Sequence, residues 1–551
     1  MRIKCLFSIC LAFAVIMAGC KKQPKTVSEQ PKPVVKEVES VTTEAKPIVK
    51  EAEPITAEPK PVTKESEPVT AEPKPVTKEV RDETEYYAVF MEGKKVGYVT
   101  ESRVVAEPNV ITTMETDVTI SRLGTSVTMK TLSKNIETTE GMPLAFESVQ
   151  EFGGVKAKTI GVIDPNGTVS VSTVSMGVEQ KSTFQWPEGA LMAEGLRLLN
   201  AKYGLKEGAK YNAKIFESTM MQAFDNQIEI GGKKDIDLLG RIVSLTEVTT
   251  TMTMPLAGTT VTTTYVDDEL RMQRSITPVI GMQLEIVACA KEFALGENDV
   301  FEMINKMFVK SPSPLGYADA ASAITYTLSP IDAAELVIPS TDNQQLQRTA
   351  DGKIILTVKP VGMPVGGTFP YRGDDEAIIE ATRPNRYLQS DHEEIIELAR
   401  KAVGSTKDAG EAARRIETFV ADFIENKDLS VGYASALEVA RSKQGDCSEH
   451  AVLTAALCRA VGIPAQMVTG IAYVDDWSGL QGFGGHAWVQ VYIGRNKGKW
   501  VGMDAAFKGA GRGGYGPGHI ALAVGNGEPA DFFNLATTLG KFKIEEAKVE
   551  K

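Results

Sequence analysis

From Glu85 to about Val309 the chain alternates with a period of two in β-branched residues, and this constrains its fold more than any other feature. Successive side chains of a strand point to opposite faces, so such runs belong in sheets and cannot lay an apolar stripe along a helix. The Thr/Val-rich runs are Val110–Ile120, Ser126–Leu132, Thr159–Ile163, Thr168–Val174 and Leu245–Val266. Tyr86–Phe90 and Val96–Val99, joined through Glu92-Gly93-Lys94-Lys95, read as a hairpin. One helical interlude is expected at Gly189–Tyr203, where Leu191, Leu196, Leu198 and Leu199 supply an apolar side. The expectation is an antiparallel β-rich domain over 85–309, of unknown function because it gathers no acid–base or ligand cluster. Residues 310–389, with Lys353–Val358 and the Pro/Gly-rich Gly362–Pro370, read as a bridging β segment.

Upstream lies a stretch that cannot fold on itself. KPVVKEVESVTTEA begins at Lys32, and related units begin at Lys46, Lys60 and Lys74, a repeat of 14 residues. It offers almost nothing aromatic or leucine-like to bury, so residues 20–84 read as a disordered Pro/Lys/Glu spacer. At about 3.1 Å per residue an extended Pro-rich chain of this length reaches roughly 200 Å. Residues 1–19 carry Arg2 and Lys4, then an apolar stretch from Leu6 to Met17, as a signal peptide does. Met17-Ala18-Gly19-Cys20 resembles the lipobox of bacterial lipoproteins. The resemblance implies cleavage before Cys20, lipidation of Cys20, and stable anchoring by several acyl chains. By the same resemblance, Lys21 at the second mature position implies an outer membrane, facing the periplasm, in a cell with two membranes.

Formal net charge is −12 with a pI near 5.2, so no nucleic-acid partner is expected. Of the six cysteines, Cys20, Cys289, Cys447 and Cys458 survive cleavage. With Cys20 lipidated, three thiols remain and cannot all pair within one chain. Cys289 and Cys458 read as buried structural residues.

From Ser390 the signals turn helical. Ser390-Asp391-His392-Glu393 reads as a capping box opening Glu393–Val403, with Gly404 as the stop. Ala412, Ile416, Phe419, Val420, Phe423 and Ile424 recur at helical spacing, and Ser435 with Glu438 forms a second capping box. Gly445-Asp446-Cys447-Ser448-Glu449-His450 then opens an apolar run that Gly462 and Pro464 end. Cys447 thus sits at a helix N-terminus, where unpaired N–H groups and the helix dipole favour the nucleophilic thiolate. Gly485–Ile493 alternates as a strand with His486 near its start, and Trp500-Val501-Gly502-Met503-Asp504 reads as a second strand after a polar turn. If Tyr492 pairs with Trp500, Asp504 lies opposite Trp488 and diagonal to His486 on the same face.

Gly445-Asp446-Cys447, Gly462-Ile463-Pro464-Ala465, His486-Ala487-Trp488 and Trp500-x-x-x-Asp504 together resemble the transglutaminase-like (papain-like) superfamily. The resemblance covers residues 390–525 and implies an α+β domain over 390–551, its catalytic Cys at a helix N-terminus packed on an antiparallel sheet. It implies Cys447 as nucleophile, His486 as base and Asp504 as orienter of the imidazole, which also meets the chemical need of a nucleophile for a positioned base. His450 is read as a packing or capping residue, His519 as the start of a strand, and His392 as part of a helix start. No cofactor and no metal are expected, since Cys447-x-x-His450 has no second ligand pair. Asp475-Asp476 is read as a solvated turn and Gly509–Gly518 as a flexible loop near the site. The reading is an envelope-anchored cysteine acyl-transfer enzyme attacking a carboxamide or peptide bond through a thioester, with hydrolysis favoured over cross-linking. Its partners would be a protein or peptide substrate and, through Cys20, a membrane. The alternative is an inactive binding or assembly lipoprotein that works through the β-rich domain.

Overall fold

The computed structural model describes residues 82–551 apart from 123–124, 153–154, 176, 255–257, 280, 303–307, 317, 319–320, 332–335, 428–433, 478–479, 495–496, 529–534 and 536–537. Cys20, the leader and the repeats up to residue 81 lie outside the described residues. Among the described residues no helix is long and apolar enough to cross a membrane.

The alternating region forms one 15-stranded sheet. Its first eight strands are β1 (Asp82–Met91), β2 (Lys94–Ala106), β3 (Asn109–Arg122), β4 (Thr125–Thr138), β5 (Pro143–Phe152), β6 (Val155–Ile163), β7 (Thr168–Ser175) and β8 (Val178–Gln185). The others are β9 (Ala190–Leu191), β10 (Lys210–Glu217), β11 (Gln222–Leu238), β12 (Arg241–Met254), β13 (Gly258–Val266), β14 (Met272–Val279) and β15 (Met282–Ala288). Neighbours in sequence are neighbours in the sheet, and β1 pairs with β15 at the centre. The alternation is visible residue by residue: Val110, Thr112, Met114, Thr116, Val118 and Ile120 of β3 are buried. Glu92 and Gly93, both at positive φ (49° and 77°), turn the first hairpin, as its sequence requires.

So long a sheet curls. Phe146 of β5, Val169 and Val171 of β7 share one apolar cluster with Ala190 of β9 and Phe216 of β10, and the rings of Phe146 and Phe216 are 5.2 Å apart. Several boundaries differ from the sequence pattern. The first strand begins at Asp82, inside the expected spacer. The expected helix starts only at Ala193, because Ala190–Leu191 pair with β10. Leu245–Val266 lies in two strands, β12 and β13.

The remainder is α+β. Helices Glu393–Val403, Ala409–Phe423 and Ala436–Ser442 surround the helix Cys447–Ala460, which is buried on all sides and packs on β20 (Ala465–Trp477) and β21 (Leu480–Ile493). That sheet also includes β16 (Val309–Lys310), β22 (Lys499–Met503) and β23 (His519–Gly525). A four-stranded sheet joins β17 (Ala323–Pro330), β18 (Gln344–Arg348) and β19 (Ile354–Val358) to β24 (Phe542–Glu550), so the end of the chain returns to the bridging segment. The N-cap of Glu393–Val403 is His392 rather than Ser390, its Nδ1 accepting from the Glu394 N–H at 3.3 Å. The Ser435–Glu438 capping box is present. Asp475 and Asp476 lie within β20, not in a turn.

Candidate active site

Cys447 is the first residue of its helix, and the residues before it explain why the helix begins there. The Asp446 carboxylate accepts from the Ser448 N–H at 3.0 Å, and the Asp446 N–H donates to Glu449 at 2.9 Å, a reciprocal capping box. Glu449 also accepts from the Ala434 N–H at 3.1 Å. Burial, and then the Asp446 charge, push its carboxyl well above the usual range. A side chain at position 445 would put its Cβ 2.2 Å from Cβ of Glu449, on a backbone at φ 149°, so only glycine fits before Asp446.

The sheet supplies the other two residues. In the β21–β22 pairing Tyr492 lies opposite Trp500 and Val489 opposite Met503, so Asp504 follows at the position facing Trp488. His486 Nε2 is 2.8 Å from Asp504 Oδ2. Asp504 also caps the helix Ala505–Gly509, its Oδ1 accepting from the Phe507 N–H at 3.0 Å. The Asp504 N–H donates to Glu417 at 2.9 Å.

Burial acts to raise the Asp504 carboxyl, but attraction and hydrogen bonds from His486 and His519 outweigh it and hold the group well below the usual carboxylate range. Asp504 is therefore ionised and can only accept, so His486 carries its proton on Nε2. A neutral His486 then presents its lone pair on Nδ1, which is buried and has no hydrogen-bond partner. The Cys447 helix packs against β21, which carries His486, and against the helix Ala505–Gly509 that Asp504 caps. Cys447, His486 and Asp504 are only 1%, 0% and 1% exposed, so a path to the sulfur has to open before a substrate reaches it.

His450 packs inside the protein, as its helical position suggests. Its Nδ1–H donates to the Asp446 carbonyl at 2.6 Å, and burial lowers its pKa from 6.5 to about 4. Cys458 is buried, and burial pushes its thiol up; Cys289 is half-buried and its thiol is also raised by burial. His519 opens β23 as expected, but it does more than that. Its Nε2 lies 3.0 Å from the same Asp504 oxygen that His486 contacts. The Gly-rich loop between Gly509 and His519 packs Tyr515 against Trp488 and His519, with centroids 6.2 and 4.9 Å away.

His486, Asp504 and His519 are the described residues that could hold a metal ion. Two ligands about 2.1 Å from a tetrahedral ion stand roughly 3.4 Å apart. The N···O distances of 2.8 and 3.0 Å are instead those of hydrogen bonds with a proton between the atoms.

Residues 396–505 match the family model of the transglutaminase-like superfamily. This stretch is a transglutaminase-like domain. It holds Cys447, His486 and Asp504, and it ends one residue beyond Asp504. Two solved structures are also similar. One is a "putative cysteine protease" from Cytophaga hutchinsonii, with 21% identity over 42% of this chain and 84% of that one, and a TM-score of 0.25. The other is a beta-barrel-like protein of a domain of unknown function from Brucella abortus, with 10% identity over 38% of this chain and 95% of that one, and a TM-score of 0.29. No curated protein matches the chain.

Proposed function

We propose that the chain is a cysteine acyl-transfer enzyme acting on carboxamide or peptide bonds, with Cys447 as nucleophile, His486 as base and Asp504 as orienter. The observation that carries this is the buried His486, whose Nε2–H is fixed on ionised Asp504 while its Nδ1 faces no partner. In the reaction Nδ1 takes the Cys447 proton and the sulfur attacks the carbonyl carbon, forming the C–S bond. His486 returns that proton to the departing amine as the C–N bond breaks, leaving a thioester. Water then attacks the thioester with His486 as base, the C–S bond breaks, and acid and free thiol are released. A Lys amine in place of water would make the enzyme a cross-linker. Hydrolysis is favoured because water outnumbers any amine in an envelope compartment and no separate amine site stands out among the described residues.

The lipobox-like Met17–Cys20 supports the further proposal that lipidated Cys20 tethers the enzyme to a membrane, with the repeat as its spacer. A non-catalytic lipoprotein is the second reading, favoured by the near-complete burial of Cys447. Iodoacetamide labelling of the folded protein, read peptide by peptide, decides between them. A catalytic Cys447 is modified while Cys458 is not; equal resistance of the two would leave only the binding reading.

A further inference from the structure

Sequence patterning assigns one imidazole to Asp504, but the structure shows two. We propose that His519 is a positioning residue of this site, the second imidazole that holds the Asp504 carboxylate and through it the His486 ring; this rests on the acyl-transfer reading above.

Asp504 Oδ2 lies 2.8 Å from His486 Nε2 and 3.0 Å from His519 Nε2. An ionised carboxylate only accepts, so both nitrogens carry protons and both lone pairs of Oδ2 are used. Oδ1 takes the Phe507 N–H at 3.0 Å. The terminal torsion of an Asp is broad, so packing alone holds it only loosely. Two N–H groups on one oxygen and a backbone N–H on the other fix it. Without His519 the second lone pair of Oδ2 would stay buried and unsatisfied, and the carboxylate could turn away from His486.

His519 is itself held firmly enough to serve. Its Nδ1 lies 3.0 Å from the Gly516 carbonyl oxygen and 3.3 Å from the Gly516 nitrogen. The Tyr326 hydroxyl donates to the Pro517 carbonyl at 2.8 Å, and the Tyr473 N–H donates to the Gly518 carbonyl at 2.9 Å. Gln344 clasps Ala521 on both sides, accepting from its N–H at 2.8 Å and donating to its carbonyl at 2.9 Å. The rings of Phe507, Trp488 and Tyr515 stand 5.0, 5.1 and 4.9 Å from that of His519 and exclude water, which strengthens the hydrogen bonds inside.

The test compares the full chain with its His519→Phe variant, which keeps a ring without a donor, and with His519→Gln, which keeps an N–H. The chain has four histidines, so selective 15N-histidine labelling resolves each ring nitrogen. The wild type should show Nε2–H on both His486 and His519. His519→Phe should slow iodoacetamide modification of Cys447 by about 3–10-fold, within the roughly 30-fold that the thiolate fraction of an ordinary thiol allows at pH 7, and should shift the His486 ring signals. His519→Gln should recover most of the rate. A merely structural histidine would move melting temperature without this rescue. The proposal is overturned if wild-type His519 lacks a proton on Nε2, which needs no variant to fold. It is equally overturned if His519→Phe folds and leaves both the rate and the His486 signals unchanged, or if Gln is no better than Phe. Failure of the acyl-transfer reading shows separately, as a wild-type Cys447 no more reactive than Cys458.

Discussion

Asp504→Asn is the most informative single change, because the structure dictates which way the new amide will turn. With its oxygen towards the two imidazoles, the amide would aim its NH2 at the Phe507 N–H, donor against donor, and the helix Ala505–Gly509 would lose its cap. A lost N-cap costs about 1 kcal/mol. With its oxygen on Phe507, the amide donates to His486 and His519 instead, and both rings move their proton to Nδ1. His519 accepts this easily, since the Gly516 carbonyl already stands 3.0 Å from its Nδ1. For His486 the same shift puts a proton where the thiol proton must go, so the base is blocked while the fold is kept. Losing the tautomer-fixing carboxylate costs about ten-thousand-fold in turnover, or about 5.5 kcal/mol of barrier. Alkylation is a milder probe. An ordinary thiol with a pKa of about 8.5 is about 3% thiolate at pH 7, so the iodoacetamide rate can fall by no more than about 30-fold. The assay is peptide-resolved alkylation at pH 7 with a melting curve alongside. A correctly folded Asp504→Asn protein whose Cys447 reacts within twofold of wild type would refute the reasoning.

Cys447→Ala should abolish any carboxamide-directed activity and His486→Ala should be nearly as severe, measured as acid or amine release, because residues acting as one unit are not additive. Cys20→Ser should move the protein from the detergent phase to the aqueous phase, and unchanged partitioning would sink the anchor. Residues 21–81 should be trimmed by limited proteolysis without altering the melting of the remainder. Burial holds the His450 pKa at about 4 against 6.5, so the unfolded chain takes up a proton that the folded one refuses. Stability present above pH 6.5 should therefore fall by roughly 3 kcal/mol as pH drops toward 4; urea melts of a folded His450→Asn variant should show a shallower slope over that window.

What the sequence made legible was local. The β3 and β4 alternation, the Glu92-Gly93 turn and the Ser435–Glu438 cap each depend on residues within a few positions, and each stands in the structure. The Tyr492–Trp500 register was readable for the same reason, since a short turn leaves a hairpin few alternatives. Long-range pairing was not readable. β1 finds β15, and β17 finds β24, across some 200 residues, and no periodic pattern records which strand a strand will choose. His519 was hidden likewise: it looks like a strand start, and its link to Asp504 exists only because β23 lies in the same sheet as β21. Glu417 is one acid among several on an amphipathic helix, with nothing local to mark it as the acceptor for the Asp504 N–H.

The residues that hold this chemistry in place extend well beyond those that match the family model. The match ends at residue 505, yet the second imidazole on Asp504 comes from position 519. The strand leading to Asp504 is gripped from the bridging segment: Asp342 accepts from the Trp500 N–H at 2.8 Å, and Asn343 donates to the Trp500 carbonyl at 2.9 Å. The next residue, Gln344, clasps Ala521. Three consecutive side chains thus tie β22 to β23, the two strands that deliver Asp504 and His519. Tyr326 of β17 fixes Pro517 between them, and β17 is itself completed by β24 at the end of the chain. Each tie sits in buried or half-buried surroundings, where an unmade hydrogen bond costs about 1–3 kcal/mol. The bridging segment therefore bears on the chemistry by fixing the backbone on either side of Asp504, and the smallest part of the chain that retains these ties runs from Ala323 of β17 to Glu550 of β24.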